Sequence, residues 1–216
     1  MFRINLRRSS LKNSIFESSN LIRSILERGD FSHSNFNKAD LSSSNLYGST
    51  FTNASFIFAN LDDSYLEAAE LSYADLTGSS IKGANLISIF AEEAVFIDSN
   101  LSGSNLKSGN FTKSIFDGSN INSSNLESAN FIKSNLKDVS LKKSNLNNAN
   151  FSFSNLSNAD ISETSLVSTN LHGSNLKNVN FTNANLLNAD LSSTLKEGVI
   201  YCNTTMPDGS LNNSGC

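Results

Sequence analysis

The 216-residue chain is predicted to fold as an all-β solenoid: a square coil of 20 residues, repeated about nine times and followed by a short C-terminal cap. Three observations predict it. A large apolar residue stands at every fifth position, a small residue stands two places before it, and a second period of 20 sorts the apolar residues by type.

Steps of five from Leu6 to Leu191 meet 38 positions, and 37 of them are Leu, Phe or Ile; Ala91 is the exception. Two residues before each of these centres, 34 of 38 positions hold Ala, Ser, Gly or Thr, and the residue just before is Asn or Asp in 25 of 38. The phase never slips between residues 4 and 195, so any interruption there is a multiple of five long. Five matches neither the helical period of about 3.6 nor the strand period of 2. Two inward positions in five, one large and one small, require a chain that turns a corner in every repeat. Four corners close a square coil.

The coil length is written in the sequence as well. Sorted modulo 20, the centres from Leu6 through Leu26 to Leu186 are Leu at all ten positions. Those from Leu21 hold Leu and Ile until Phe181. The remaining two columns contain Phe31, Phe51, Phe111, Phe131, Phe151 and Phe16, Phe36, Phe56, Phe96, Phe116, which places ten of the eleven central Phe residues on two faces of four. Like side chains stacked along an axis are what a solenoid core asks for.

Each position then has a physical role. The large centre fills the coil interior, and the small residue two before it points inward where only small side chains fit. Asn or Asp beside the centre suits a corner, because a short polar side chain bonds nearby backbone. Asn110, Asn130, Asn150 and Asn170 recur one coil apart and permit side-chain ladders. With coils roughly 4.8 Å apart, nine of them make a rod on the order of 45 Å long. Apolar burial, at about 25 cal/mol per Å², must supply most of its stability.

The periodicity divides the chain into a β-helix over residues 1–195 and a cap over residues 196–216. Cys202 and Cys216 both lie in the cap and enclose Pro207-Asp208-Gly209, a turn sequence. A disulfide between them would contribute roughly 3 kcal/mol by loop closure and would staple the end of the rod. A reducing cytosol opposes that bond, so the sequence leaves the pair open as thiols or disulfide. Two Cys alone are too few for a metal site.

Composition narrows the function. Charged residues are 17% of the chain, the formal net charge is -4 and the pI is near 5.2, which excludes a basic nucleic-acid binder. The abundance of Asn, Ser and Leu resembles low complexity, but the strict ordering argues against disorder. The N-terminus lacks an apolar stretch of signal-peptide length, and no later run could span a bilayer. The expectation is a soluble, cytoplasmic protein, or one of the thylakoid lumen or periplasm if a leader was removed.

The segments Ala39-Asp40-Leu41, Ala59-Asn60-Leu61, Ala74-Asp75-Leu76, Ala84-Asn85-Leu86 and Ala189-Asp190-Leu191 resemble the A(D/N)LXX motif of the pentapeptide-repeat family. The resemblance covers about nine-tenths of the chain and implies a right-handed quadrilateral β-helix, the handedness coming from the family alone. The segment Tyr201–Cys216 is similar to the ending of many cyanobacterial members, which implies a cyanobacterial or plastid-lineage origin. Some members dimerise end to end through the C-terminus, so the expected state is a monomer or an end-to-end homodimer.

Three features are candidates for chemistry or contact. His33 and His172 point outward on one face seven coils apart, roughly 34 Å at the strand spacing, so they share no metal and form no acid–base pair. No phosphate loop, nucleophile motif or metal-ligand cluster appears, and neither cofactor nor metal is expected. At Ile89 and Ala91 large and small exchange places, with Ile89 expected between Ala69 and Gly109 in a volume-compensated swap. Phe90 and Val95 then stand where Asn is usual, either as a repaired irregularity or as a contact patch. Finally, Asp62, Asp63, Glu67, Glu70, Asp75, Glu92, Glu93 and Asp98 face only Lys82 across residues 58–100. Mapped on the coil they form a belt around all four faces, read as a solvated surface or as a partner contact.

The expected function is non-enzymatic: a structural or protein-interaction module that presents a rigid rod to a protein partner, without direct nucleic-acid contact or membrane insertion. The alternative comes from the resemblance, since the quinolone-resistance branch of the family imitates duplex DNA and binds DNA gyrase. Chain length fits that branch. The acids do not, because they form a belt and not a stripe along the rod, and the unbroken phase leaves no room for that branch's projecting loops. An enzyme is the third reading and has no site to support it.

Overall fold

The computed structural model describes residues 3–216; Met1 and Phe2, the first two residues of the expected β-helix, lie outside them. From Asn5↔Ile25 to Asn185↔Thr205, every residue that precedes a centre bridges in parallel to the residue 20 positions on. The square coil of 20 residues is therefore the repeating unit, and its ladder continues past residue 195 into the tail.

Most corners are made the same way. The N–H three residues after a centre donates to that centre's carbonyl, as Ser9 does to Leu6 at 3.1 Å and Ala39 to Phe36 at 3.0 Å. The residue two after the centre has a φ near +55 to +70°, at every fifth position from Arg8 to Asn203. A four-residue turn with positive φ at its third residue is a type II turn. Left-handed backbone costs an L-residue roughly 1–2 kcal/mol. Here it aims the corner N–H along the rod axis, where it meets a carbonyl of the next coil: Arg8 N–H to Glu27 at 2.9 Å, Phe58 N–H to Thr77 at 2.9 Å. That bond and the centre's own (Leu6 N–H to the Ile25 carbonyl, 2.7 Å) offset the strain in each repeat from Leu6 to Leu186.

The sides between corners are too short to be strands in their own right. The only continuous strands among the described residues are β1 (Thr204–Thr205) and β2 (Leu211–Asn212), an antiparallel pair in the tail.

The centres from Leu21 to Leu186 and the small positions before them form one continuous buried core. Buried Ser hydroxyls at the small positions donate to main-chain carbonyls, Ser49 to Leu26 at 2.7 Å and Ser114 to Phe111 at 2.6 Å. The Phe columns stack ring on ring: Phe16 on Phe36 at 4.6 Å, Phe36 on Phe56 at 4.9 Å, Phe96 on Phe116 at 4.5 Å and Phe131 on Phe151 at 4.8 Å. Edge-to-face contacts between the two columns add to this, as for Phe51 and Phe56 at 5.2 Å. The aromatic stack breaks at Leu71, Leu76 and Ala91. There Ile89 and Ala91 are both fully buried, and a Cβ placed on Gly109 would lie 3.1 Å from Ile89 Cγ2. Ile89 thus fills the volume that glycine leaves vacant.

The tail turns back over the final coil. Tyr201 stacks on Phe181 at 5.9 Å, the turn at Met206–Ser210 leads into β2, and Gly215 N–H donates to the Tyr201 carbonyl at 2.7 Å. The Cys202 and Cys216 sulfurs are joined, with Cα atoms 4.9 Å apart.

Candidate interaction surface

The corner geometry decides what the rod displays. The two residues after each centre point outward, and the Asn or Asp before it caps the corner: Asn20 Oδ1 accepts from Ile22 N–H at 3.2 Å, and Asp160 Oδ1 from Ser162 N–H at 3.1 Å. Side chains of one column are therefore held at fixed spacing along the rod, each facing its neighbours 20 residues away.

Within the acidic belt, most carboxylates are already engaged. Asp62 Oδ1 accepts from Ser80 Oγ at 2.6 Å and Lys82 N–H at 2.9 Å, and its Oδ2 pairs with Lys82 Nζ at 3.1 Å. Glu67 accepts from the Tyr65 hydroxyl at 2.6 Å and from Asn85 at 3.2 Å; the former raises the pKa of Tyr65, whose proton it holds. Glu70 takes the Ser72 N–H at 3.0 Å and Asp75 the Thr77 N–H at 2.9 Å. Glu93 and Glu92 converge on Lys113 Nζ at 2.8 and 3.4 Å, and those bonds raise the lysine's pKa. Asp63 and Asp98 lean over Gly83 and Gly118, the glycines one coil on, where a Cβ would push their carboxylates aside.

One corner gathers more than the others. Phe90 bridges between Glu70 and Asn110, stays 51% exposed, and precedes the corner that carries Glu92 and Glu93. Tyr73, 52% exposed, lies one coil before Glu93 in the same column. Asp62, Asp63, Glu67 and Asp98 occupy the other three corners. Sequence reading counted these acids by segment and missed Lys113 and Tyr73. The signal was the 20-residue step, which pairs Glu93 with Lys113 and Tyr73 with Glu93.

The histidines stay apart. His33 is exposed, while His172 Nδ1 lies 2.7 Å from Ser192 Oγ and its ring meets Phe153 edge-on at 5.3 Å. Among the described residues no group of three or more His, Cys, Asp or Glu side chains converges, no pocket opens, and no helix is long and apolar enough to cross a membrane.

Two family profiles match this chain. One, described as pentapeptide repeats in eight copies, matches residues 1–37, 14–53, 51–86 and 94–131; the other, described as a pentapeptide repeat region, matches residues 122–191. Among solved structures the chain is similar to a trypsin-treated form of QnrB1, a plasmid-mediated fluoroquinolone resistance protein. The two are 14% identical over 85% of this chain and 92% of that one, with a TM-score of 0.51. It is also similar to HetL of the cyanobacterium Nostoc sp. strain PCC 7120, a protein involved in heterocyst differentiation regulation, at 26% identity over 97% of this chain and 92% of that one, with a TM-score of 0.49. No curated protein matches the chain.

Proposed function

The chain belongs to the pentapeptide-repeat family, whose fold is a right-handed quadrilateral β-helix, and from that premise we propose that it is a non-enzymatic protein-interaction module. The reading places its work in the rigid outer surface of the rod, with residues 196–216 as the cap of the last coil. The observation that carries it is the two-bond fixation of every corner from Leu6 to Leu186, which displays side chains in columns at constant spacing without, among the described residues, a cavity to receive a small substrate.

Within that surface, the corner of Phe90, Glu92 and Glu93, continued around the belt by Asp62, Asp63, Glu67, Glu70 and Asp98, is the proposed contact for a protein partner. Apolar surface beside acids suits a partner with a basic, partly apolar patch. Gyrase binding by imitation of DNA gains nothing from this surface, because the acids stay in a belt and several are neutralised by lysines one coil on. The joined Cys202 and Cys216 favour an oxidising compartment, the thylakoid lumen or periplasm, over the cytoplasm.

The test compares the intact protein with a Phe90→Ala/Glu92→Gln/Glu93→Gln variant as bait in the source lysate, with Lys113→Ala as a control for the broken ion pair. A partner held by the intact chain and by Lys113→Ala, and weakened at least tenfold by the triple variant, supports the reading. Equal retention by all three would remove the belt as the contact.

A further inference from the structure

All five arginines of the chain lie between residues 3 and 28. With Lys12, and against Glu17, Glu27 and Asp30, they give the first 30 residues a formal charge of +3; since the chain totals -4, the remainder carries -7. The rod is therefore electrically polar, with its cationic end at the first coil.

The placement of these arginines runs against the rule the rest of the molecule follows. Charged residues 20 positions apart are neighbours on adjacent coils, and elsewhere they are paired by opposite sign: Lys107 with Glu127 at 2.9 Å, Lys177 with Glu197 at 3.0 Å, Lys113 with Glu93 at 2.8 Å. At two adjacent corners of the first two coils, Arg3 instead precedes Arg23, and Arg8 precedes Arg28. Like charges placed opposite one another on neighbouring strands are destabilising. Lys133 also follows Lys113, but Lys113 is held between two glutamates. Arg7 pairs with Glu27 at 3.0 Å and Arg28 lies 4.0 Å from the same glutamate. Among the described residues Arg3, Arg8 and Arg23 have no acidic partner.

Among the described residues nothing covers the outer side of the first coil. In the second coil the N–H groups of Asp30, Asn35 and Asp40 donate to carbonyls of the first, at 2.8 to 2.9 Å. Their counterparts in the first coil, Ser10, Ile15 and Asn20, find no acceptor among the described residues. Ile15 is 80% exposed, and Leu6, Leu11 and Phe16 are covered on one side only. Unpaired backbone beside exposed apolar side chains is a template for an added strand.

We propose that the rim of the first coil is a docking site for an extended, acidic segment of a partner protein, which pairs with the one side of the rim that lies between the corner of Arg3 and Arg23 and the corner of Arg8, while its carboxylates take the forks of those arginines. Guanidinium matches carboxylate in a two-point geometry that lysine lacks. A nucleic acid fits less well, because the basic surface spans about two coils, on the order of 10 Å along the axis, and the rest of the rod repels a polyanion. A second copy fits less well too, since two such rims carry the same charge. This surface is separate from the belt, so the two proposals stand or fall independently.

The test uses the full chain and a fluorescent peptide of alternating Glu and Val, followed by anisotropy at 50 and 200 mM salt. The peptide is expected to bind, more weakly at the higher salt, and Arg8→Asn/Arg23→Asn to weaken it at least tenfold. Asn tolerates the left-handed corner, and circular dichroism checks that the variant is folded. The Phe90→Ala/Glu92→Gln/Glu93→Gln variant is expected to bind the peptide as the native chain does. Absence of peptide binding, or equal binding by the arginine variant, overturns the proposal. Tighter binding of oligo-dT, lost with the same substitutions, replaces the peptide by nucleic acid. A dimer in sedimentation that the arginine variant dissolves replaces it by a second copy.

Discussion

The first and last coils share one architecture and are finished in opposite ways. At the C-terminal end Tyr201 stacks on Phe181, Thr205 of the β1–β2 pair bridges to Asn185 of the coil before it, and Cys216 is joined to Cys202. At the N-terminal end Phe16 stacks on Phe36 at 4.6 Å on one side and meets no further coil of described residues on the other. A solenoid rung gains its stability from the rungs beside it, so one with a single neighbour keeps about half of its packing. The difference teaches that, among the described residues, packing is concentrated in the interior and towards the tail and is weakest at the first coil.

Two residues of one column put the largest number on this contrast. Phe116 is fully buried between coils, stacked on Phe96 at 4.5 Å and edge-on to Phe111 at 5.6 Å. Phe116→Ala is expected to lose about 3–5 kcal/mol, the usual range for a buried Phe. Phe16→Ala, five coils earlier in the same column, is expected to lose less than half of that. Urea unfolding of both variants decides it, and equal losses would mean that the first coil is packed as tightly as the interior.

The closed end is broken most directly at its sulfurs. Cys202→Ser removes a 14-residue loop closure, worth about 3 kcal/mol on the chain-entropy model. Because contacts in a solenoid reach only neighbouring coils, the loss is expected to be local. Hydrogen exchange should quicken at residues 181–205 and stay unchanged at residues 101–160. Equal acceleration in both segments would show that the tail supports the whole rod.

The coil period, the core and the volume exchange at Ile89 could be read from residue types alone, because each depends on size and apolarity at a fixed step. The corner conformation could not. Its left-handed position holds Phe58, Tyr73, Phe153 and several lysines, which have no preference for that backbone. Closure of the coil imposes it. Short strands were also invisible, since a side with one bridging residue carries no period-2 pattern. The belt was half legible: its acids stand in the sequence, whereas their neutralisation by Lys82 and Lys113 depends on which residues lie one coil away. The stacked arginines were legible by the same step of 20, but only the pairing habit of the other charges makes them exceptional. Tail closure rested on two cysteines around Pro207-Asp208-Gly209, with no sequence signal for the contact of Tyr201 with Phe181.

Acid offers the smallest and most local separation of the two ends. Asp30, beside the open rim, is held below the ordinary carboxylate pKa of 3.8 by the Ser32 hydroxyl, against the opposing effect of burial, with further help from Lys12. Asp208, in the tail, is held below the same value by the Ser210 hydroxyl and N–H. A carboxyl whose folded pKa is depressed contributes stability above its unfolded pKa, and that contribution is lost as pH falls through the folded value. Both ends should therefore weaken locally below about pH 4. The tail remains tied by Cys202 and Cys216, so only the rim is expected to fray. Hydrogen exchange corrected for its intrinsic pH dependence, followed from pH 6 to pH 3, should show protection falling at residues 5–30 and persisting at residues 199–215. In Cys202→Ser the two segments should lose protection together; if the tail of the intact protein opens as readily as the rim, the sulfurs are not what distinguishes the two ends.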